Sequence, residues 1–286
     1  MYLLKKYTPI AVLLFFISSV NSQNKSVKNV GISSDKQTTG VSVSPAHFHL
    51  NLKQGQSKVY SININNDTSS PKSFQVKMMD FNMNGKGKSS FLPAGNGKYS
   101  LSKWVSISPT FVELKPNEKR KVDFTVSVPN DSDGAKAAWS IIMIEQQQAR
   151  QSLSPDNKSD NTVALGVVPT FAFGVFVYQN PPGVALNEVE FVDFVFDENN
   201  KQISIVAENK GDGISYCTSY IDLTNLKTGD QQRLKVKKFT ILPDLIRDFI
   251  FKIPDNHEPG DYIAVGVLDF ENSDEIQAAK MEFKLN

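Results

Sequence analysis

From Val41 to Leu285 the apolar residues of this 286-residue chain recur at every second position, in short runs separated by turn residues. A period of two is that of a strand with one face buried, and helical periodicity is nearly absent. Tyr60, Ile62 and Ile64 share one face while Ser61, Asn63 and Asn65 share the other; Phe74, Val76 and Met78 repeat the pattern. Order resumes at Trp104 and Val105, then at Phe111, Val112 and Leu114, and then at Val122, Phe124, Val126 and Val128 before Pro129. Between them, residues 82–98 are rich in Gly, Asn, Lys and Ser and read as one long loop. Ala137, Trp139, Ile141 and Met143 alternate with Ala138, Ile142 and Ile144, so both faces of this run are apolar and its strand is expected at the centre of a sheet.

Asn180, Pro181, Pro182 and Gly183 then form a stiff turn, and a second series begins. Its strands are expected at 189–196, around Ile203, Ile205 and Ala207, and at 214–223, 234–241, 245–253, 262–270 and 276–285. Each series holds about seven strands, the complement of one sandwich. The chain is therefore expected to be all-β, with two consecutive immunoglobulin-like β-sandwich domains at 41–180 and 181–286. One large closed barrel is the poorer alternative, because the Pro-Pro-Gly break interrupts the pattern.

The sequence before the first strand has a different character. Lys5 and Lys6 precede an apolar run from Ile10 to Phe16 and then small polar residues, the order of a secretory signal peptide, expected at 1–22. The run is too short to span a bilayer, so no membrane insertion is expected after cleavage, and the location is periplasmic or at the cell surface. Residues 23–40 hold too few apolar side chains to offset the entropy of ordering and read as a flexible leader.

Thirty-one basic and 30 acidic residues leave a net charge of +1, which gives no support to a nucleic-acid partner. Cys217 is the sole cysteine, so no intramolecular disulfide can form, and its place in an alternating run makes it a small buried hydrophobe. His47, His49 and His257 stand at no recognised metal-ligand spacing. No nucleophile elbow or phosphate-binding glycine loop is present. No catalytic residue, cofactor or metal is expected, and the work of the chain is binding.

The most informative segment is 162–178. Val163, Leu165, Val167, Phe171, Phe173, Val175 and Val177 all fall on one face, and Pro169 interrupts the run. Proline cannot donate to a ladder and is confined to edges and bulges, so the first half of the run is expected along a sheet edge. An apolar edge invites a partner strand. Val163, Leu165, Val167, Phe171 and Phe173 are the candidate partner-binding residues.

The stretches VSVSP at 41–45, WVSISP at 104–109, VELKPNEKRKVDFTV at 112–126 and VFVYQNPP at 175–182 resemble the PapD-like periplasmic chaperones of pilus assembly. That resemblance implies two immunoglobulin-like sandwiches and a last first-domain strand that completes an exported, β-rich subunit by strand addition. The family anchors its client's terminal carboxylate through an Arg and a Lys, where this chain has His47 and Phe173. His47 is thus the candidate contact for a client terminus. Pro45, Leu50, Leu52 and Gly55 also resemble the start of the WxL-interacting proteins of the cell wall, which implies the alternative of a structural or adhesive envelope component.

Overall fold

A computed structural model describes residues 40–147, 170–184, 188–270 and 276–286. The signal peptide and leader expected at 1–40 lie almost wholly outside these residues. The first series of strands comprises β1 (Val41–Ser44), β2 (His47–Leu50), β3 (Ser57–Asn66), β4 (Lys72–Met83), β5 (Ser89–Pro93), β6 (Val105–Ser108), β7 (Phe111–Leu114), β8 (Glu118–Ser127), β9 (Ala138–Gln147) and β10 (Ala172–Gln179). Strands β1, β3, β8 and β6 form one sheet in that order; β2, β10, β9, β4 and β5 form the other, with β7 also on β4.

The alternation read from the sequence puts Ile62 and Ile64, Phe74 and Val76, Val122 and Phe124, and Ile142 and Ile144 into one core between these sheets. Each such side chain contributes roughly 1.5–3 kcal/mol when fully buried. Strand β9 is central, flanked by β10 and β4.

Two strands are weakly signalled in the sequence. The stretch 82–98 contains β5 as well as a loop, because the Asn84 side chain accepts from the Lys86 and Lys88 amides at 3.1 and 2.9 Å and Gly87 takes a φ of 78°. That turn closes a hairpin on β4 with only Phe91 and Leu92 as apolar contributors, too few to show a period. Strand β2 alternates histidine with Phe48 and Leu50, which reads as polar and apolar only once the histidines are seen facing outward.

The second series comprises β11 (Val189–Asp197), β12 (Gln202–Asn209), β13 (Ser215–Asn225), β14 (Gln231–Arg233), β15 (Lys237–Ile241), β16 (Ile246–Lys252), β17 (Gly260–Phe270) and β18 (Ile276–Leu285). Strands β11, β12 and β16 face a sheet of β14, β13, β17 and β18, with β15 also on β13. Ile203, Ile205, Phe249, Phe251, Ile221 and Leu268 fill its core, and Cys217 is buried among them as expected for a small apolar residue.

The two sandwiches meet over a third apolar cluster. Phe81, Trp139, Ile141 and Tyr178 from the outer face of the first sandwich pack with Ile214 and Leu242 of the second. This seam is why β9 carries apolar residues on both faces. Around it, the Asp248 amide donates to the Gly85 carbonyl at 2.8 Å, and Asp244 takes hydrogen bonds at 2.6 Å from both Lys98 and the Tyr99 hydroxyl. Among the described residues no helix is long and apolar enough to cross a membrane.

Candidate binding edge on strand β10

On β10 the odd-numbered residues point inward and the even-numbered ones outward. Val175 and Val177 are fully buried in the first core, and Phe173 packs against it half-buried. Phe171 lies just ahead of the strand, 43% exposed, with its ring 5.4 Å from that of Phe173 and 6.4 Å from that of Phe74. Val163, Leu165 and Val167 lie outside the described residues.

The main chain has the same parity. Phe171 offers its carbonyl to the Gln146 amide on β9, so the odd-numbered peptide groups serve the β9 ladder. Phe176 donates its amide to the Ala46 carbonyl at 2.9 Å, and Asn180 to Leu50 at 3.0 Å, so the even-numbered groups face β2. Strand β2 runs parallel to β10 only over Phe176–Gln179. Before His47 the chain crosses at a cis Ser44–Pro45 peptide into the opposite sheet, where β1 pairs with β3. The amide and carbonyl groups of Ala172 and Gly174 therefore face an edge that no described strand covers. Part of β10 is an interior strand and part is an edge.

Gly174 lets β10 lie close to its neighbour. A Cβ there would fall 2.6 Å from the Ile141 methyl group. On the same outer face the His47 ring stacks on Phe176 at 5.4 Å, and His49 meets the Tyr216 ring of the second sandwich at 4.3 Å. The structure thus sets His47 beside β10 at the seam and the candidates Phe171 and Phe173 on the opposite face of the sheet. Burial raises the Tyr178 hydroxyl to about 12, so it stays a neutral part of this face.

The exit of β10 is fixed by two amides. Gln179 accepts from the Leu52 amide at 3.1 Å and donates to the Leu52 carbonyl at 2.6 Å. Asn180 does the same with Ile214 of the second sandwich, at 2.8 Å in both directions. Each side chain imitates a strand partner, so the end of β10 is pinned to both sandwiches at once. Further along the seam, Arg247 is 8% exposed; burial lowers its pKa, and its guanidinium meets the Met83 sulfur and the faces of Phe239 and Phe249. The sequence places Asn180 in the turn between the domains and Gln179 just before it, but gives neither their pairing with Ile214 and Leu52 nor the burial of Arg247, since isolated polar residues give no period.

Asp80 organises the inner end of the first sandwich. Its carboxylate accepts from the Gly97 amide at 2.9 Å and from the Ser100 and Ser140 hydroxyls at 3.0 and 2.7 Å. Burial alone would raise its pKa, but the hydrogen bonds outweigh burial and hold it below the usual aspartate value.

The first sandwich carries a family signature. Residues 31–165 match the family model described as WxL Interacting Protein, peptidoglycan binding domain. The match ends ahead of β10. Among solved structures, the class 5 fimbriae chaperone CfaA is 13% identical and similar over 85% of this chain and 98% of its own, at a TM-score of 0.43. The E. coli chaperone DraB is 11% identical over 85% and 98%, at 0.40. The CsuC–CsuE chaperone and tip-adhesion-subunit complex of Acinetobacter baumannii matches at 14% identity over 73% and 89%, also at 0.40. These are the pilus chaperones that the sequence resembles, as it also resembles the WxL-interacting group. No curated protein matches the chain.

Proposed function

We propose that this protein is a non-catalytic assembly factor of the cell envelope that holds an exported, β-rich subunit by strand addition along the start of β10. The observation that carries this reading is the pair of main-chain groups at Ala172 and Gly174, which face an edge uncovered by any described strand, with half-exposed Phe171 and Phe173 beside it. Backbone bonds would supply affinity to such a partner, and the side-chain pockets next to them would supply selectivity. In this reading His47, exposed at the seam, would contact a partner's end.

A second reading is a stable envelope component whose first sandwich rests on peptidoglycan, favoured by the family match over residues 31–165. One pair of measurements separates the two. The purified chain is spun with insoluble peptidoglycan, and separately crosslinked in its native envelope with the crosslinked residues mapped. Crosslinks concentrated at 170–176 without sedimentation are expected for the assembly factor. Sedimentation with peptidoglycan and no crosslinks at 170–176 would replace the first reading by the second.

A further inference from the structure

The loops at the far end of the second sandwich enclose a polar pocket of about 350 Å³. Strand β13 begins beside the seam at Ser215 and ends at this pocket at Asn225, a run of eleven residues. At about 3.3 Å per residue the pocket therefore lies roughly 35 Å from the seam. It is remote from the β10 edge and beyond the residues that match the family model.

Its frame is preformed. The Asn225 side chain accepts from the Lys227 and Thr228 amides and donates to the Tyr262 hydroxyl at 3.2 Å, which in turn donates to the Glu258 carbonyl at 2.8 Å. His257 sits within this frame with Nδ1 3.1 Å from the Pro254 carbonyl, which fixes the proton of the neutral ring on Nδ1. Nε2 is then an acceptor, and it is buried with no partner among the described residues. A buried acceptor left unmade costs about 1–3 kcal/mol, so a donor that enters the pocket gains by supplying the missing bond.

We propose that this pocket binds a neutral saccharide unit, with His257 Nε2 accepting from one of its hydroxyl groups. The lining decides the ligand class. Neither Lys nor Arg is among the lining residues, whereas the carboxylates of Asp230 and Glu258 are, so an anion finds no countercharge. Among the described residues no group of three His, Cys, Asp or Glu side chains could hold a metal ion, which removes a bare cation. Gln231, Gln232 and Asn256 add amides that donate as well as accept. Vicinal hydroxyls match that mixture because they too do both, while an ammonium group only donates and leaves the amide N–H groups unmatched. The volume lies at the lower end of the roughly 300–1,000 Å³ of small-molecule sites, which suits a single sugar ring.

The test is a titration of the full chain, isotope-labelled, with N-acetylglucosamine, galactose and mannose, with propylamine and inorganic phosphate in parallel, following the amide and side-chain resonances of Asn225, Gln232 and His257. At least one sugar is expected to shift these resonances saturably, and phosphate is expected to leave them unmoved. Removing the acceptor with His257→Phe should weaken that sugar by about tenfold, the value of one buried hydrogen bond. Gln232→Ala, at an exposed position, repeats the comparison if His257→Phe melts below the parent. No saturable shift with any of the three sugars, or tighter binding of propylamine than of every sugar, would overturn the proposal.

Discussion

Trp139→Ala is expected to lower the stability of the protein by about 3–5 kcal/mol, the range for removing a large buried aromatic. Trp139 is only 6% exposed on the outer face of the central strand β9, its ring stacks on Tyr99 at 4.5 Å, and its Nε1 donates to the Phe81 carbonyl at 3.1 Å. The alanine variant therefore loses apolar contact and leaves that carbonyl without its donor. Because Trp139 belongs to the cluster shared by both sandwiches, its loss should also uncouple them. Urea unfolding of the parent should follow one transition and that of the variant two. A loss below about 1 kcal/mol, with a single transition retained, would show that Trp139 is not what couples the sandwiches.

The second large effect belongs to Asp80. Asp80→Ala removes the common acceptor of the Gly97 amide and the Ser100 and Ser140 hydroxyls in a buried site. The Ser140 hydroxyl can turn to the Trp139 carbonyl at 2.7 Å, whereas the Gly97 amide loses the acceptor it meets at 2.9 Å. A loss of about 3 kcal/mol is expected. The folded-state pKa of Asp80 is depressed, so its ionised form contributes stability that is complete well above the unfolded value of about 3.9 and is lost as pH falls through the folded value. Asp80→Asn keeps the shape without that titration. The stability gap between the parent and Asp80→Asn should therefore narrow steadily as pH drops below about 4. A gap that stays constant from neutral pH to pH 3 would mean that the carboxylate carries no such linkage.

The all-β class and most strand positions were legible because they rest on repetition. A buried face imposes a period of two over a whole run, and β3, β4, β8, β9 and β12 through β18 each repeat it enough to be seen, apart from the three-residue β14. Strand β5 was not legible because a turn, held by Asn84 and Gly87, makes that hairpin rather than an apolar face. The candidate edge was legible only in part. The inward set Phe171, Phe173, Val175 and Val177 follows from parity, but where β10 stops being covered depends on the length of β2 and on the crossing at Pro45. Neither is written in β10 itself. The same holds for Gln179 and Asn180, whose importance comes from what stands opposite them, Leu52 and Ile214, at 127 and 34 residues' separation.

In the proposed strand addition, β10 takes a partner strand through the peptide groups of Ala172 and Gly174. Proline at position 172 removes the outward amide donor at the first residue of the strand, where proline is tolerated, and leaves the β9 ladder on the odd-numbered residues intact. Phe173→Pro removes an amide of that ladder and should instead destabilise the fold. The measurement is the yield of envelope partner crosslinked to residues 170–176 in Ala172→Pro, set against the parent at equal folded protein. A melting temperature close to the parent's and a partner yield reduced by about tenfold, the equivalent of one main-chain hydrogen bond at the edge, are expected. An Ala172→Pro protein that folds like the parent and retains its full partner yield would contradict strand addition at β10.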